Sequence, residues 1–251
     1  QCFMINLVID IGNTHTKVAV FDHQVLRKID HYESLDPQHI HAYLTNQEIT
    51  HSILSSVSLD HITELEELLA KQTTYIRFAT HLATTISNQY QSPATLGLDR
   101  LAGVVGAQAL HPHKNCLVVD AGTCITYDAV TKKGLYHGGS ISPGIHMRLK
   151  ALHTFTDKLP LIDLDLEFTA VEGTDTRTSI LSGVTQGAML EMQGFIKNYQ
   201  LRYPDLQVIL CGGDAFFFDT RLKNTIFAHL LSVEPHLVLI GLNEIIHQQN
   251  D

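Results

Sequence analysis

Hydrophobic positions along the chain fall into short oily runs separated by polar turns, and the pattern occurs twice. The run Ile-Asn-Leu-Val-Ile over residues 5–9 predicts a mostly buried strand. It ends at Asp10, and after a turn at Gly12-Asn13-Thr14 residues 17–22 predict a second strand. A polar turn at Asp22–Gln24 leads into a third strand over 25–31. Residues 60–71 predict a helix with Asp60 as N-cap, Glu64 in the first turn and Ile62, Leu65, Leu68 and Leu69 on one face. Residues 98–110, rich in Ala, Leu and Val, predict another helix. The plan then restarts. Residues 117–119 predict a strand, Ala121-Gly122-Thr123 a turn, and 125–130 and 135–141 two further strands. Ser142-Pro143-Gly144 opens a helix over 145–155. A long helix is expected over 184–203, with Met189, Met192, Phe195, Ile196 and Tyr199 on a face that reads as core. A strand over 207–211 and helices over 219–228 and 236–248 complete the prediction.

Both halves therefore run strand, acidic-glycine turn, strand, turn, strand, helix. This predicts a duplicated α/β unit, each copy led by a β-hairpin, with the boundary at the polar, proline-containing stretch His111–Asn115. A chain of 251 residues with 44% hydrophobic and 17% charged residues can fill one large core or two moderate ones. No oily run approaches the roughly 20 residues of a membrane span, and no signal peptide opens the chain, so a cytoplasmic protein without a membrane partner is expected. The net charge of −9, with no basic cluster longer than Lys132-Lys133, argues against a nucleic-acid partner. Four cysteines, none in a CxxC pair, read as reduced thiols. The pairs His39/His41 and His111/His113 lack a third ligand at a telling spacing and read as surface histidines.

The acidic turns carry the candidate chemistry. Asp10 emerges at the carboxyl end of a buried strand, the edge where open α/β sheets bind ligands. Gly12 permits close backbone approach. Asn13, Thr14, His15 and Thr16 offer short polar groups and Lys17 a cation, a setting suited to phosphate oxygens. An acid beside phosphates makes sense if it acts through Mg²⁺. Asp120, Gly122, Thr123 and Thr126 repeat the arrangement. Either turn alone reads as an ordinary Asp-Gly turn; the matched pair favours a clamp on a nucleotide polyphosphate. No Walker A loop occurs. In Gly97–Ala107, "GLDRLAGVVGA", Asp99 and Arg100 open a helix. Arg100 suits a carboxylate and Asp99 could take a proton from a hydroxyl, though a helix cap with a surface ion pair explains the same residues. "LCGGDA" at Leu210–Ala215 suits close approach of a planar group or a plain strand-to-helix turn. The residues alone reach a two-lobed phosphotransferase or a nucleotide-dependent switch.

The ordered motifs "DIGNTHTK" (Asp10–Lys17), "GLDR" (Gly97–Arg100), "VVDAGTCITYD" (Val118–Asp128), "GGSISPG" (Gly138–Gly144), "GTDTRTSILSG" (Gly173–Gly183) and "CGGDA" (Cys211–Ala215) resemble the type III pantothenate kinases. The resemblance spans Ile5 to Ile246. It implies two duplicated ribonuclease-H-like lobes of the actin-like ATPase and sugar kinase superfamily, each a mixed β-sheet with flanking helices, taken here as residues 4–114 and 115–251. It implies ATP-dependent phosphorylation of pantothenate on its primary hydroxyl, the first step of coenzyme A synthesis, by a homodimer. Asp10, Ile11, Gly12, Asn13, Thr14, His15, Thr16 and Lys17 would hold ATP, with Asp10 near Mg²⁺ and Thr123 also on the nucleotide. Asp120 would hold a monovalent cation, K⁺ or NH₄⁺. Asp99 would be the general base. Tyr90, Gly97, Leu98, Asp99 and Arg100 would line the pantothenate site, and Thr176, or its neighbours Thr174 and Thr178, would reach it from the dimer partner. Leu98 stands where the family usually has Ala. The alternatives are a kinase for another small hydroxy acid or sugar and a non-catalytic regulator of gene expression in the same superfamily.

Overall fold

The structure, a computed structural model, describes residues 4–12, 15–56 and 62–250. The chain divides into two compact units. One contains the residues up to Leu110 together with those from His236 onward, and the other spans His111–Pro235.

In the first unit, β1 (Ile5–Ile11), β2 (Thr16–Asp22) and β3 (Val25–Tyr32) form an antiparallel meander. Helix α1 (Pro37–Asn46) leads to β4 (His51–Ser56), and α2 (Thr63–Gln72) leads to β5 (Thr74–Arg77). β4 and β5 join parallel, giving the order β3-β2-β1-β4-β5. The hairpin forms because a tight turn can join antiparallel neighbours, whereas each parallel strand needs a helical crossover. A two-residue strand β6 (Ser87–Asn88) precedes α3 (Leu98–Leu110).

The second unit has the same order. β7 (Cys116–Ala121), β8 (Cys124–Val130) and β9 (Leu135–Pro143) form the meander, α4 (Ile145–Thr154) and the long α5 (Thr176–Arg202) follow, and β10 (Gln207–Cys211) adds parallel to β7. After α6 (Ala215–Leu222), β11 (Leu231–Val233) adds parallel to β10, giving β9-β8-β7-β10-β11. The duplication expected from the hydrophobic pattern is thus present strand for strand. Asp10 and Asp120 occupy the same place in it, the penultimate residue of each leading strand.

The final helix α7 (Leu237–Asn250) does not stay with the second unit, as a division at residue 115 implies. It packs along α3 and against β1 and β4 of the first. The two helices approach closely at small residues: a Cβ on Gly241 would strike the Ala102 carbonyl, and one on Gly106 the Leu237 carbonyl. Each unit has its own core. In the first, Leu7, Ile9, Val18, Val20 and Leu54 meet Ile40, Tyr43, Leu65 and Leu69 of α1 and α2. In the second, the predicted stripe is core: Met189, Met192 and Ile196 are buried, with Phe195 and Tyr199 packed against them.

Three helices differ from the prediction. α2 starts at Thr63 without a side-chain cap; Asp60 lies outside the described residues. α5 starts at Thr176, eight residues before the predicted start at 184, because a capping box nucleates it where the apolar pattern is still weak. Asp175 accepts from the Thr178 N–H at 2.8 Å, and Thr178 accepts from the Asp175 N–H at 3.1 Å. α6 covers Ala215–Leu222, directly after the Gly212-Gly213 turn, and ends where the Thr225 hydroxyl donates to the Leu222 carbonyl at 2.7 Å. The hydrophobic pattern does not predict α1, although Asp36-Pro37 is a strong start signal. Asp36 accepts from the Gln38 N–H at 2.7 Å, and His39 accepts from the Asp36 N–H at 3.2 Å.

Candidate active site

Side chains alternate across a strand, so Asp10 shares a sheet face with Asn6 and Val8 and not with the core residues Leu7 and Ile9. That face is covered by α7: Asn6 donates to the Asn243 side chain at 2.8 Å. Asp10 is in register with Lys17 on β2 and with Ser55 on β4. A half-buried carboxylate is thereby set between an ammonium and a hydroxyl. Burial, and then the negative charge of Asp99, push its pKa up from 3.8 to about 6 against the opposing effects of Lys17 and a hydrogen bond from Ser55. Asp10 and Asp99, which the sequence separates by most of a lobe, are thus electrostatic neighbours.

The Gly12 N–H donates to the His15 carbonyl at 3.2 Å and closes the turn. Asn13 and Thr14 lie outside the described residues. Ile11 is half-buried and His15 exposed. Thr16 departs from expectation. Its side chain is buried on the core face with Val18 and Val20, opposite to Lys17, so its backbone and not its hydroxyl faces the turn.

The start of α3 gathers the second group. Asp99 is exposed in the first helical turn, and its Oδ1 accepts from the Arg100 N–H at 2.8 Å, which fixes the carboxylate at the helix N-terminus. Gly97 precedes the helix and its carbonyl accepts from the Leu101 N–H at 3.3 Å. Arg100 is buried, with its guanidinium carbon 5.6 Å from the centre of the Tyr90 ring. Tyr90 is itself held by its N–H to Asn88 Oδ1 at 3.0 Å. Tyr90, Asp99, Arg100 and Asp10 therefore form one constellation in the first unit. Leu98 is half-buried beside them.

In the second unit, Asp120 is in register with Thr126 and Cys211. Gly212 adopts φ of 86°, and a Cβ there would run into Asp120 Oδ1 and the Ala121 carbonyl; only glycine permits this approach. The Asp214 N–H then donates to the Ala121 carbonyl at 2.8 Å. The two conspicuous motifs of this half, "DAGT" and "CGGDA", are parts of one structure. The Gly122 N–H closes the hairpin turn onto the Cys124 carbonyl at 2.9 Å, leaving Thr123 exposed. A pocket of about 470 Å³ opens beside it, lined by Gly122, Thr123, His146, Met147, Lys150 and Asp214. Burial raises the pKa of Asp214, and the charge of His146 opposes this.

Thr176 is the exposed first residue of α5. The Thr178 hydroxyl is committed to the helix cap, accepting from the N–H groups of Thr174 and Asp175 at 3.0 and 3.1 Å. The sequence reading missed Ser55, because the pattern does not predict β4. It also missed His146, Lys150 and Asp214 as neighbours of Thr123; only the glycines around them signalled a close approach.

The family model of the type III pantothenate kinases matches residues 6–198. The chain belongs to that family. A type III pantothenate kinase from Bacteroides fragilis (strain YCH46) is 42% identical over 247 residues, covering 98% of each chain. Among solved structures, a Campylobacter jejuni protein of the Baf family aligns with a TM-score of 0.61 at 21% identity, covering 97% of this chain and 98% of its own. The Lmo2764 protein of Listeria monocytogenes aligns at 0.59 with 12% identity, covering 99% and 100%. The fold is accordingly that of the actin-like ATPases and sugar kinases, and the chain is a kinase. Family membership implies ATP and a divalent metal. The donor set suits such a cation, because the carboxylates of Asp10 and Asp99 repel each other and a cation between them would stabilise both. Among the described residues no helix is long and apolar enough to cross a membrane.

Proposed function

We propose that the protein transfers the γ-phosphoryl group of ATP to the primary hydroxyl of pantothenate, giving 4'-phosphopantothenate, with Asp99 as the general base. The observation that carries this reading is the constellation at the start of α3. Asp99 is exposed with one oxygen pinned to the helix N-terminus, the Arg100 guanidinium lies over the Tyr90 ring, and Asp10 lies within electrostatic reach.

A primary alcohol is a weak nucleophile, and phosphoryl transfer depends on alignment and charge neutralisation. The pinned Asp99 carboxylate accepts the hydroxyl proton as the oxygen attacks phosphorus, and the transferred group leaves ADP. Arg100 pairs with the pantothenate carboxylate, its direction set by Tyr90. Lys17 and the backbone of the Gly12–Thr16 turn take phosphate oxygens, and Thr123 contacts the nucleotide. Asp10 would hold Mg²⁺, which supplies neutralisation of phosphate charge when bound; the remaining ligands would be waters and phosphate oxygens. Asp120 would hold the monovalent cation, K⁺ or NH₄⁺. Thr176 would complete the pantothenate site of a second copy of the chain in a homodimer, acting in the cytoplasm. All the acids and the arginine that the chemistry needs are present, which favours a kinase over a non-catalytic regulator.

The test is to incubate purified protein with ATP, Mg²⁺, K⁺ and pantothenate and to detect phosphopantothenate by mass spectrometry. Stoichiometric formation of ADP and phosphopantothenate is expected. ATP consumption that requires a different hydroxy acid or sugar would replace this substrate assignment.

A further inference from the structure

A polar network in the second unit reaches the nucleotide turn without lining it. Glu191, in the middle of α5, accepts from the Ser142 hydroxyl at 2.5 Å and from the Tyr127 hydroxyl at 3.1 Å through one oxygen. Its other oxygen takes an Arg148 guanidinium N–H at 2.7 Å. Arg148, on α4, also donates through Nε to the Pro143 carbonyl at 2.8 Å and through Nη2 to the Ser142 hydroxyl at 3.2 Å. Burial works against the charge on Glu191, but the hydrogen bonds from Arg148 and Ser142 outweigh it and hold the carboxyl below its ordinary value. Tyr127 is locked further by stacking on Phe195, one turn along α5, with centroids 4.1 Å apart.

The network grips Ser142 and Pro143 from the α5 side. The next residue, Gly144, grips the nucleotide turn from the other side. Its N–H donates to the Thr123 carbonyl at 3.1 Å, and a Cβ on it would strike the carbonyls of Gly122 and Thr123. Gly144 is also the N-cap of α4, the helix that supplies His146, Met147 and Lys150 to the pocket beside Thr123. The segment Ser142–Gly144 is therefore fixed at one end to α5 and at the other to the turn.

We infer that Glu191 is a positioning residue for the nucleotide: through Ser142, Arg148 and Gly144 it sets the Gly122–Thr123 turn and the start of α4. The inference rests on the assignment of Thr123 to ATP. It distinguishes Glu191 from a residue that only stabilises α5, because the network ends on the Gly122–Thr123 turn.

The experiment measures KM for ATP, KM for pantothenate, kcat and Tm on the full chain for wild type, Glu191→Gln, Glu191→Ala, Arg148→Ala and the Glu191→Ala/Arg148→Ala double variant. Glu191→Ala should raise KM for ATP on the order of ten-fold, the scale of a displaced binding group, while KM for pantothenate stays the same. Glu191→Gln, which still accepts from Ser142 and Tyr127, should fall between wild type and Glu191→Ala. The double variant should cost no more in KM for ATP than the worse single variant, since both break one connection. A fall in Tm with both KM values unchanged would overturn the inference, as would equal rises in both KM values or additive effects in the double variant. If Glu191→Ala does not fold, Glu191→Gln decides by the same criteria. Wild-type protein without turnover of ATP and pantothenate would refute the proposed function instead, so the two failures are distinguishable.

Discussion

Replacing Asp10 by Asn should make the metal-free protein more stable while removing its activity. Asp10 sits half-buried on the sheet face covered by α7, beside the negative charge of Asp99, and its pKa rises from 3.8 to about 6. Each pH unit corresponds to about 1.36 kcal/mol, so the charged form is disfavoured in the folded state by about 3 kcal/mol. The folded state binds the proton more tightly than the unfolded chain, so stability falls as pH rises between these two values. Below 3.8 both states are protonated and the penalty vanishes; above about 6 it is complete. Asn keeps the shape and carries no charge. At about pH 7.5, without Mg²⁺ or nucleotide, Asp10→Asn should therefore gain up to about 3 kcal/mol, which for a chain of this size is a rise in Tm of about 6–12 °C. At about pH 4.5 most of the gain should be gone. Thermal unfolding followed by circular dichroism at the two pH values measures this. Mg²⁺ with ATP should stabilise the wild type more than the variant, since Asp10 would hold the metal. Equal or lower stability of Asp10→Asn at the higher pH, or a gain independent of pH, would refute the electrostatic account. Asp99→Asn should lower the Asp10 titration, because the Asp99 charge is the second cause of its elevation; carboxyl NMR would show the shift.

Other perturbations separate the roles assigned to neighbouring groups. Thr178→Ala should cost about 1 kcal/mol of stability by removing the hydroxyl that caps α5, with KM for pantothenate unchanged, whereas Thr176→Ala should raise that KM and leave Tm alone. Arg100→Gln should weaken pantothenate by about 2–5 kcal/mol, read as a rise in its KM, while KM for ATP holds. Wild-type activity should fall when Na⁺ replaces K⁺, and Asp120→Asn should be equally slow in both salts; full K⁺ stimulation of the variant would remove Asp120 from the cation site.

The sequence was most legible where local patterning and global fold agree. The two hairpins, α3 and the core stripe of α5 were all readable because buried strands and amphipathic helices carry strong periodicity. The duplication was readable because both leading strands end in an acid followed by a glycine turn. What was not readable has physical reasons. β4 and β5 are short and half-polar, "HSILSS" and "TYIR", and gain their strand character from pairing with β1 and with each other. The return of α7 to the first unit depends on packing against α3, far away in sequence, which no local pattern records. At the site, residue types pointed to Asp10 and Asp99 separately, but their proximity is a consequence of topology. The same holds for Ser55, placed beside Asp10 by the parallel register of β1 and β4. Thr16 shows the converse limit. The motif included it, but strand alternation turns its side chain into the core.

The central claim is that Asp99 is the general base. Its most direct test is single-turnover formation of phosphopantothenate by wild type and Asp99→Asn, with ATP and pantothenate affinities measured on the same samples. The amide oxygen of the Asp99→Asn variant can still accept a hydrogen bond from the Arg100 N–H, so the start of α3 should stay in place and both affinities should hold within a few-fold. The chemical step should slow on the order of 10²–10⁴-fold. Phosphoryl transfer at the wild-type rate by Asp99→Asn, with both substrates bound, would contradict the account.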